Sequence, residues 1–104
     1  MKQIGQQEFD TAIAQGIVVV EFFATRCWPC KMIAPYLDEM SEKLAGQVSF
    51  YKVDVDEEQT IASKQGITAM PTMKIFNNGQ EVKTIVWADL KALWAGIQEI
   101  VGAE

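Results

Sequence analysis

The sequence predicts an α/β domain in which helices cover a sheet with both parallel and antiparallel strand pairs. Apolar strand patterns alternate with amphipathic helix patterns along most of the chain, an order typical of parallel strands joined by helices. A tight Asn-Gly turn near the C-terminal end joins two further strands as an antiparallel hairpin. The predicted elements are helix 7–15, strand 17–24, helix 30–44, strand 48–56, helix 57–64, a strand within 67–76, strand 81–87 and a last helix after Asp89.

The first helix and strand are predicted from the spacing and type of their apolar residues. Phe9 and Ile13 lie at helical spacing, and Gly16 is a suitable C-terminal cap. Strand 17–24 is β-branched and aromatic, as a buried central strand is. We therefore expect the helix to contribute packing only and the strand to lie at the centre of the sheet.

The second helix is predicted to lie on the sheet along one apolar face, with its charged residues on the opposite face. Pro35 lies inside it and is expected to bend it, because the proline ring removes one backbone hydrogen bond. The apolar positions are Met32, Ile33, Tyr36, Leu37, Met40 and Leu44.

Pro71 lies at the mouth of the strand predicted within residues 67–76. Proline is tolerated at the first residue of a strand. Because only ~5% of X-Pro bonds in folded proteins are cis, sequence physics alone predicts a trans Met70–Pro71 bond.

The last helix is predicted to begin after Asp89, a good N-cap, and to bury one apolar stripe. Trp94 belongs to this stripe, so we expect it in the core rather than at a binding site. The stripe consists of Leu90, Leu93, Trp94, Ile97 and Val101.

Composition and charge exclude several classes of partner. The chain has 104 residues, 49% of them hydrophobic and 22% charged, and is expected to form one globular domain over 1–104. Its net charge of −5 repels phosphate backbones and anionic membrane surfaces, so nucleic acid is not an expected partner. No apolar run approaches the ~20 residues of a membrane span, and the first residues lack the apolar core of a signal peptide. We therefore expect a cytoplasmic protein.

The chain contains no histidine, which excludes several kinds of catalytic and metal site. Cys-His pairs, Ser-His-Asp triads and Cys/His zinc sites all need an imidazole. The two cysteines cannot complete a tetrahedral zinc site within one chain, and a metal bridging two chains is less favoured than a redox pair. We therefore predict no metal site.

A C-W-P-C motif at 27–30 follows the first strand and opens the second helix. Backbone N–H groups and the positive end of the helix dipole favour a thiolate there, so Cys27 is predicted to be acidic and nucleophilic. Arg26 and Lys31 act in the same direction, although solvent weakens their effect. Cys30, one helical turn on, can reach the first sulfur and is expected to point inward. The pattern predicts that Cys27 attacks and Cys30 resolves.

Glu21 interrupts the apolar strand 17–24, where a carboxylate is costly unless it is paired, hydrogen-bonded or protonated. One interpretation places it at an edge, in contact with water or with Lys52. The other places it beneath the cysteines with a raised pKa, exchanging protons with Cys30. The sequence leaves both interpretations open.

Five segments of the chain carry a specific pattern: 19–24, 27–35, 52–56, 70–72 and 76–79. A lone C-x-x-C is weak evidence of function. The same motif with a proline five residues after its second cysteine, a distal Met-Pro-Thr and an Asn-Gly hairpin at these separations is strong evidence. In these features the chain resembles the thioredoxin family over nearly its whole length.

The resemblance implies a thioredoxin fold, which is a central mixed sheet with helices on both faces and the dithiol at its edge. It implies that Pro71 is cis and faces the cysteines, in place of the trans bond predicted above. Glu21 stands where the family usually has a buried aspartate, and Lys52 matches a family lysine near it. Both are therefore expected to act with the two cysteines in catalysis.

The resemblance also implies a mechanism and partners. The Cys27 thiolate would attack a substrate disulfide, and Cys30, deprotonated with help from Glu21, would release the reduced substrate. No bound cofactor is expected, because electrons would come from NADPH through a thioredoxin reductase. Expected partners of this monomer are that reductase and protein disulfides such as peroxiredoxin, methionine sulfoxide reductase and ribonucleotide reductase.

Four positions depart from the family pattern. Trp28 replaces the usual glycine between the cysteines, Phe23 and Arg26 replace tryptophans, and Trp87 stands where a glycine is usual beside the substrate groove. Trp28 could be a surface ring that replaces the one lost at Arg26. We favour the interpretation that Trp28 and Trp87 narrow the groove and change which partners dock. The expected substrate-binding residues are Trp28, Pro29, Met70, Pro71 and Trp87.

Two other functions remain open on the sequence. In one, the chain is a docking module whose dithiol is incidental. In the other, it is an oxidase or isomerase, which would need an oxidising compartment. Since the residues between the cysteines change the redox balance, the reduction potential does not follow from the resemblance.

Overall fold

The computed structural model describes residues 1–103, and Glu104, the last residue of the predicted domain, lies outside the described part. Among the described residues, no helix combines the length and apolar character needed to cross a membrane. The elements in chain order are β1 (Lys2–Gln3), α1 (Gln6–Ile13), β2 (Ile17–Phe23), α2 (Trp28–Lys43), β3 (Val48–Asp54), α3 (Gln59–Lys64), β4 (Thr72–Asn77), β5 (Gln80–Val86) and α4 (Leu90–Gly102).

Strand β2 lies at the centre of a five-stranded mixed sheet with the order β1-β3-β2-β4-β5. It pairs parallel with β3 and antiparallel with β4, and β4 pairs antiparallel with β5. The turn between β4 and β5 holds Asn78 and Gly79 at φ 53° and 86°, as a two-residue type I′ turn requires. The predicted α/β class, with a parallel pair and a C-terminal hairpin, is confirmed.

Helices cover both faces of the sheet, because side chains alternate between the two faces along each strand. On one face, called the α2 face, Val19 of β2 shares a core with Leu37 of α2 and Leu93 of α4. On the other face, called the α1/α3 face, Val20 shares a core with Ile61 of α3 and with residues of α1. The side chains at odd positions of β2, Glu21 among them, therefore point toward the α2 face.

Some element boundaries differ from the prediction. Strand β1 was not predicted, because two exposed residues show no periodicity; it is identified only by its parallel pairing with β3. Helix α2 begins at Trp28 rather than Cys30, since Pro29 fits the first helical turn. Strand β4 begins at Thr72, directly after Pro71, which agrees with the prediction of a proline at the mouth of this strand.

Three predictions of burial are wrong. Trp94, expected in the core, is 40% exposed, and Met32 and Tyr36 are 57% and 60% exposed. Each of these residues precedes or follows a buried residue of the same helix. One step along an α-helix rotates a side chain by about 100°, which turns these three away from the sheet.

Candidate active site

Cys27 and Cys30 form a disulfide at the N-terminal end of α2, with their Cα atoms 5.3 Å apart. Cys27 is the N-cap of the helix, and its Sγ accepts a hydrogen bond of 3.2 Å from the backbone N–H of Cys30. Cys27 is half-buried, whereas Cys30 is only 4% exposed. The first sulfur is therefore the one that another molecule can approach, as the sequence predicts.

The surroundings of Cys27 favour negative charge on its sulfur. The free N–H groups at the start of α2 and the helix dipole both stabilise a thiolate. The guanidinium of Arg26 lies 3.2 Å from the carboxylate of Asp56, and both side chains are exposed. Because this exposed pair is screened by solvent, the helix terminus is the main stabilising influence on a Cys27 thiolate.

Glu21 is buried on the central strand β2, with 3% of its surface exposed. Burial raises the pKa of its carboxyl to about 7, while the charge of Lys52 lowers it and that of Asp38 raises it. The interpretation that placed Glu21 at an edge of the sheet is therefore wrong. The burial of Glu21 and its raised pKa agree with the other interpretation.

Lys52 is the neighbour of Glu21 in the β2–β3 pairing. Within residues 1–103, however, the two side chains form no ion pair shorter than 4 Å. The Nζ atom of Lys52 instead lies over the ring of Phe23, 5.4 Å from its centroid. Lys52 thus acts on Glu21 only through space, which leaves burial as the dominant influence on this carboxyl.

A cavity of about 270 Å³ connects Glu21 with Cys30. Phe23, Asp38 and Lys52 also line it. Exposed residues on the same wall, such as Lys31, bring the cavity to the surface, and its volume has room for several water molecules. This arrangement provides a route by which a proton can pass between Cys30, Glu21 and solvent.

The loop before β4 carries two of the predicted substrate-binding residues, Met70 and Pro71. The Met70–Pro71 bond is cis, so the trans prediction is wrong and the one implied by the resemblance is confirmed. Pro71 is buried, and its carbonyl accepts a hydrogen bond of 2.8 Å from the backbone N–H of Trp87. Met70 and Cys27 both pack against the core of the α1/α3 face. Met70 and Cys27 thus contact the same core, on one face of the sheet.

Two tryptophans at the site are exposed to solvent. Trp28 is 67% exposed and Trp87 is 56% exposed. Trp87 has φ 81°, a conformation that bulky L residues rarely adopt and that glycine adopts without steric cost. An exposed indole at such a position contributes little to packing.

Sequence reasoning missed two residues that line the cavity with Glu21, namely Phe23 and Asp38. Phe23 could have been placed there, because residues 21 and 23 of one strand share a face. Asp38 carries no local signal, since only the packing of α2 on the sheet brings it to the cavity. Half-buried Pro29 was assigned to substrate binding, and the structure places it in the first turn of α2 beside the disulfide.

Comparisons with known proteins agree with this geometry. The thioredoxin family model matches residues 1–99. Thioredoxin-1 of Saccharomyces cerevisiae is 52% identical over 87 residues, which cover 83% of this chain and 84% of that protein. The structure of Plasmodium falciparum thioredoxin has a TM-score of 0.89 at 42% identity, covering 95% of this chain and 98% of that one.

A third similar chain comes from a structural study of thiol resolution in yeast mitochondrial 1-Cys peroxiredoxin through the glutathione and thioredoxin systems. It has a TM-score of 0.89 at 35% identity and covers 95% of this chain and 94% of that one. Fold, disulfide and similarity over most of the length therefore agree, and the thioredoxin fold implied by the resemblance is confirmed. The chain belongs to the thioredoxin family of dithiol–disulfide oxidoreductases.

Proposed function

We propose that this oxidoreductase draws electrons from NADPH through a thioredoxin reductase and passes them to protein disulfides in the cytoplasm. The observation that carries the proposal is the Cys27–Cys30 disulfide itself, which has one accessible sulfur and one buried beside a carboxyl-lined cavity. A family member that reduces disulfides needs a reducing compartment, which supports the cytoplasm as its location.

Protein disulfides are the proposed substrates. The similar chain from the peroxiredoxin study supports peroxiredoxins as one class. Methionine sulfoxide reductase and ribonucleotide reductase, the other partners that the family resemblance implies, are proposed as further substrates. We propose that the protein acts as a monomer, since one chain holds both cysteines of the exchange.

The first step joins the protein to its substrate. The Cys27 thiolate attacks one sulfur of the substrate disulfide, so that a mixed disulfide forms and the other substrate sulfur leaves as a thiolate. That thiolate takes up a proton from water. The helix N-terminus stabilises the attacking thiolate before this step.

The second step releases the substrate. The Cys30 thiol gives its proton to the Glu21 carboxylate through the cavity, and the Cys30 thiolate then attacks Sγ of Cys27. The Cys27–Cys30 disulfide closes and the second substrate sulfur leaves as a thiolate, so that two electrons have passed to the substrate. Lys52 lowers the pKa of Glu21 against the effect of burial, which keeps the carboxyl able to release its proton near neutral pH.

Replacement of Cys27 by serine tests the proposal directly. Cys27→Ser removes the nucleophile, so reduction of insulin disulfides by NADPH and a thioredoxin reductase should fall to the uncatalysed rate. Cys30→Ser is the matched variant: it should still attack but accumulate the mixed disulfide, which is visible by mass spectrometry. Native protein that reduces insulin no faster than Cys27→Ser would instead favour the docking-module alternative.

Five residues are proposed to bind substrate around Cys27: Trp28, Pro29, Met70, Pro71 and Trp87. Trp87→Gly tests the least usual of them. Because glycine fits φ 81°, the variant should keep its fold while the relative rates for several protein disulfides change by roughly tenfold. An unchanged ranking of substrates would remove Trp87 from the binding site.

Measurement of the reduction potential distinguishes the remaining alternative. A potential near that of reducing family members supports the proposed direction, because each ~30 mV corresponds to about 1.4 kcal/mol. A strongly oxidising potential, near that of oxidases, would favour the oxidase or isomerase.

A further inference from the structure

Exposed apolar side chains run along α2 away from the disulfide. Trp28, Met32 and Tyr36 are 67%, 57% and 60% exposed. They lie four residues apart, so each follows the last by about one turn, or about 6 Å along the helix axis. We call this row of three residues the α2 stripe. Its first residue, Trp28, is adjacent to the reactive Cys27.

The α2 stripe ends in a groove between α2 and α4. The groove has a volume of about 250 Å³, and Trp94, which is 40% exposed, lines it on the α4 side. Its two charged residues, Glu39 and Lys43, pair with each other at 3.3 Å. The two charges therefore balance each other and favour neither a cationic nor an anionic ligand, while the rest of the lining is apolar or aromatic. Its lining residues are Tyr36, Glu39, Met40, Lys43, Leu90 and Trp94.

The groove is continuous with the site of disulfide exchange. Tyr36 belongs to both the α2 stripe and the groove, and the stripe begins beside Cys27. With a helical rise of 1.5 Å per residue, Tyr36 and Met40 lie roughly 13 to 20 Å from Cys27 along the axis of α2. An extended polypeptide covers that distance in roughly four to six residues.

We propose that this groove binds an apolar or aromatic side chain of the disulfide substrate, roughly four to six residues from the substrate cysteine that Cys27 attacks. The inference rests on the proposed reduction of protein disulfides and adds a determinant of substrate choice. Continuity with the reactive sulfur favours the substrate as occupant. A net charge of −5 opposes the two other occupants, a second copy of the chain and an anionic membrane.

Peptides with one cysteine, held as a mixed disulfide with 2-nitro-5-thiobenzoate, test the distance. A single phenylalanine is placed at successive positions on either side of the cysteine, in a background of serine and glycine. Attack by reduced protein releases the chromophore, and the second-order rate constant is measured in single turnover. It should be roughly tenfold higher with phenylalanine about four to six residues away on one side than at one or two residues, because burial of an aromatic ring contributes on that scale.

Substitutions in the groove identify where the phenylalanine binds. Trp94→Ser and Tyr36→Ser should reduce the preference for a distant phenylalanine to less than about twofold. Their reaction with the symmetrical disulfide of 2-nitro-5-thiobenzoate, here called the thionitrobenzoate dimer, which carries no peptide, should keep its rate. The Tyr36 variant retains the test if loss of Trp94 prevents folding, since Tyr36 is 60% exposed. Val82→Ser is the matched control, at an apolar position 45% exposed on β5 and outside the groove, and should keep the full preference.

A rate constant independent of the position of phenylalanine overturns the inference, and so does a preference that survives in both groove variants. Sedimentation of the native protein as a dimer that the groove variants dissociate would assign the groove to a second copy and overturn it as well. Failure of the native protein to react even with the thionitrobenzoate dimer would instead count against the proposed function, so the two failures are distinguishable.

Discussion

Two neighbourhoods of the sheet bring a glutamate and a lysine together, and the two carboxyls behave in opposite ways. On the α1/α3 face, Nζ of Lys74 lies 2.7 Å from the carboxylate of Glu81 and also donates a hydrogen bond to the carbonyl of Gln65. The hydrogen bond from Lys74 holds the pKa of Glu81 below its usual range, with a second from Thr84. On the α2 face, burial raises the pKa of Glu21 to about 7.

The difference follows from contact and exposure rather than from residue type. Glu81 is 42% exposed and bonded directly to an ammonium, whereas Glu21 is 3% exposed and its lysine neighbour lies over an aromatic ring. A carboxyl that is paired and partly solvated stays ionised and serves structure. A buried carboxyl without a bonded cation can change its protonation near neutral pH, as a proton carrier must.

Glu21→Gln removes the titrating carboxyl on the α2 face and should give the largest effect on stability of the variants compared here. Because the folded pKa of Glu21 is raised from about 4.5 to about 7, the native protein loses stability as pH rises through that window, by about 3 kcal/mol. The variant lacks this loss, so at pH 8 it should exceed the native protein in stability by up to that amount and match it at pH 4. Urea unfolding across this pH range measures the difference.

The same variant tests the proposed proton transfer. Release of substrate from the Cys27 mixed disulfide should slow by roughly 100-fold and lose its pH dependence near 7. Glu81→Gln is the control, because its carboxyl lies on the other face, and should leave release unchanged. If release keeps its pH dependence in Glu21→Gln, Glu21 is not the proton carrier.

Lys74→Met should remove the ion pair with Glu81. Its effect on stability should be smaller than that of Glu21→Gln, and it should not change the rate of disulfide exchange. Lys74 is 8% exposed, and the change removes two hydrogen bonds of a charged donor, so the free energy of unfolding should fall by about 2 kcal/mol. Lys83→Met, at a lysine 43% exposed, is the control and should change stability by less than about 0.5 kcal/mol. Equal losses in the two variants would contradict the structural role of the Lys74 pair.

Phe23→Leu should give the smallest effect and make the two neighbourhoods more alike. Loss of the ring frees Lys52 to approach Glu21, which lowers the pKa of that carboxyl. The pH midpoint of substrate release should move to lower pH, on the order of half a unit. Phe23→Tyr keeps the ring and should keep the midpoint, and a midpoint unmoved in Phe23→Leu would show that the ring does not position Lys52.

The fold class and the cysteines could be predicted because their signals are local. Periodicity along β2, the Asn78-Gly79 turn and the spacing of Cys27 and Cys30 each lie within a few neighbouring residues. Trp94 shows where local reasoning failed. Its apolar side chain fits the stripe of α4, but the amount of sheet that faces this helix decides which positions are covered.

The environment of Glu21 could not be predicted in the same way. The sequence showed a carboxylate in an apolar strand and left two interpretations open. The choice between these two interpretations depended on the tertiary structure. The strand order β3-β2-β4 makes β2 central, and the packing of α2 brings Cys30 to the same cavity as Glu21. The cis bond before Pro71 was implied by resemblance and not by sequence physics, since X-Pro bonds favour trans.

By itself the sequence determined the order of the elements from α1 onward, the hairpin and the position of the dithiol at a helix N-terminus, because each depends on interactions between residues close in the chain. Only the tertiary structure decided that Glu21 is buried without a bonded cation, that Lys52 lies over Phe23 and that Trp94 lines a groove. The physical reason is that burial and charge separation are set by residues distant in sequence, which come together only when the helices pack on the sheet.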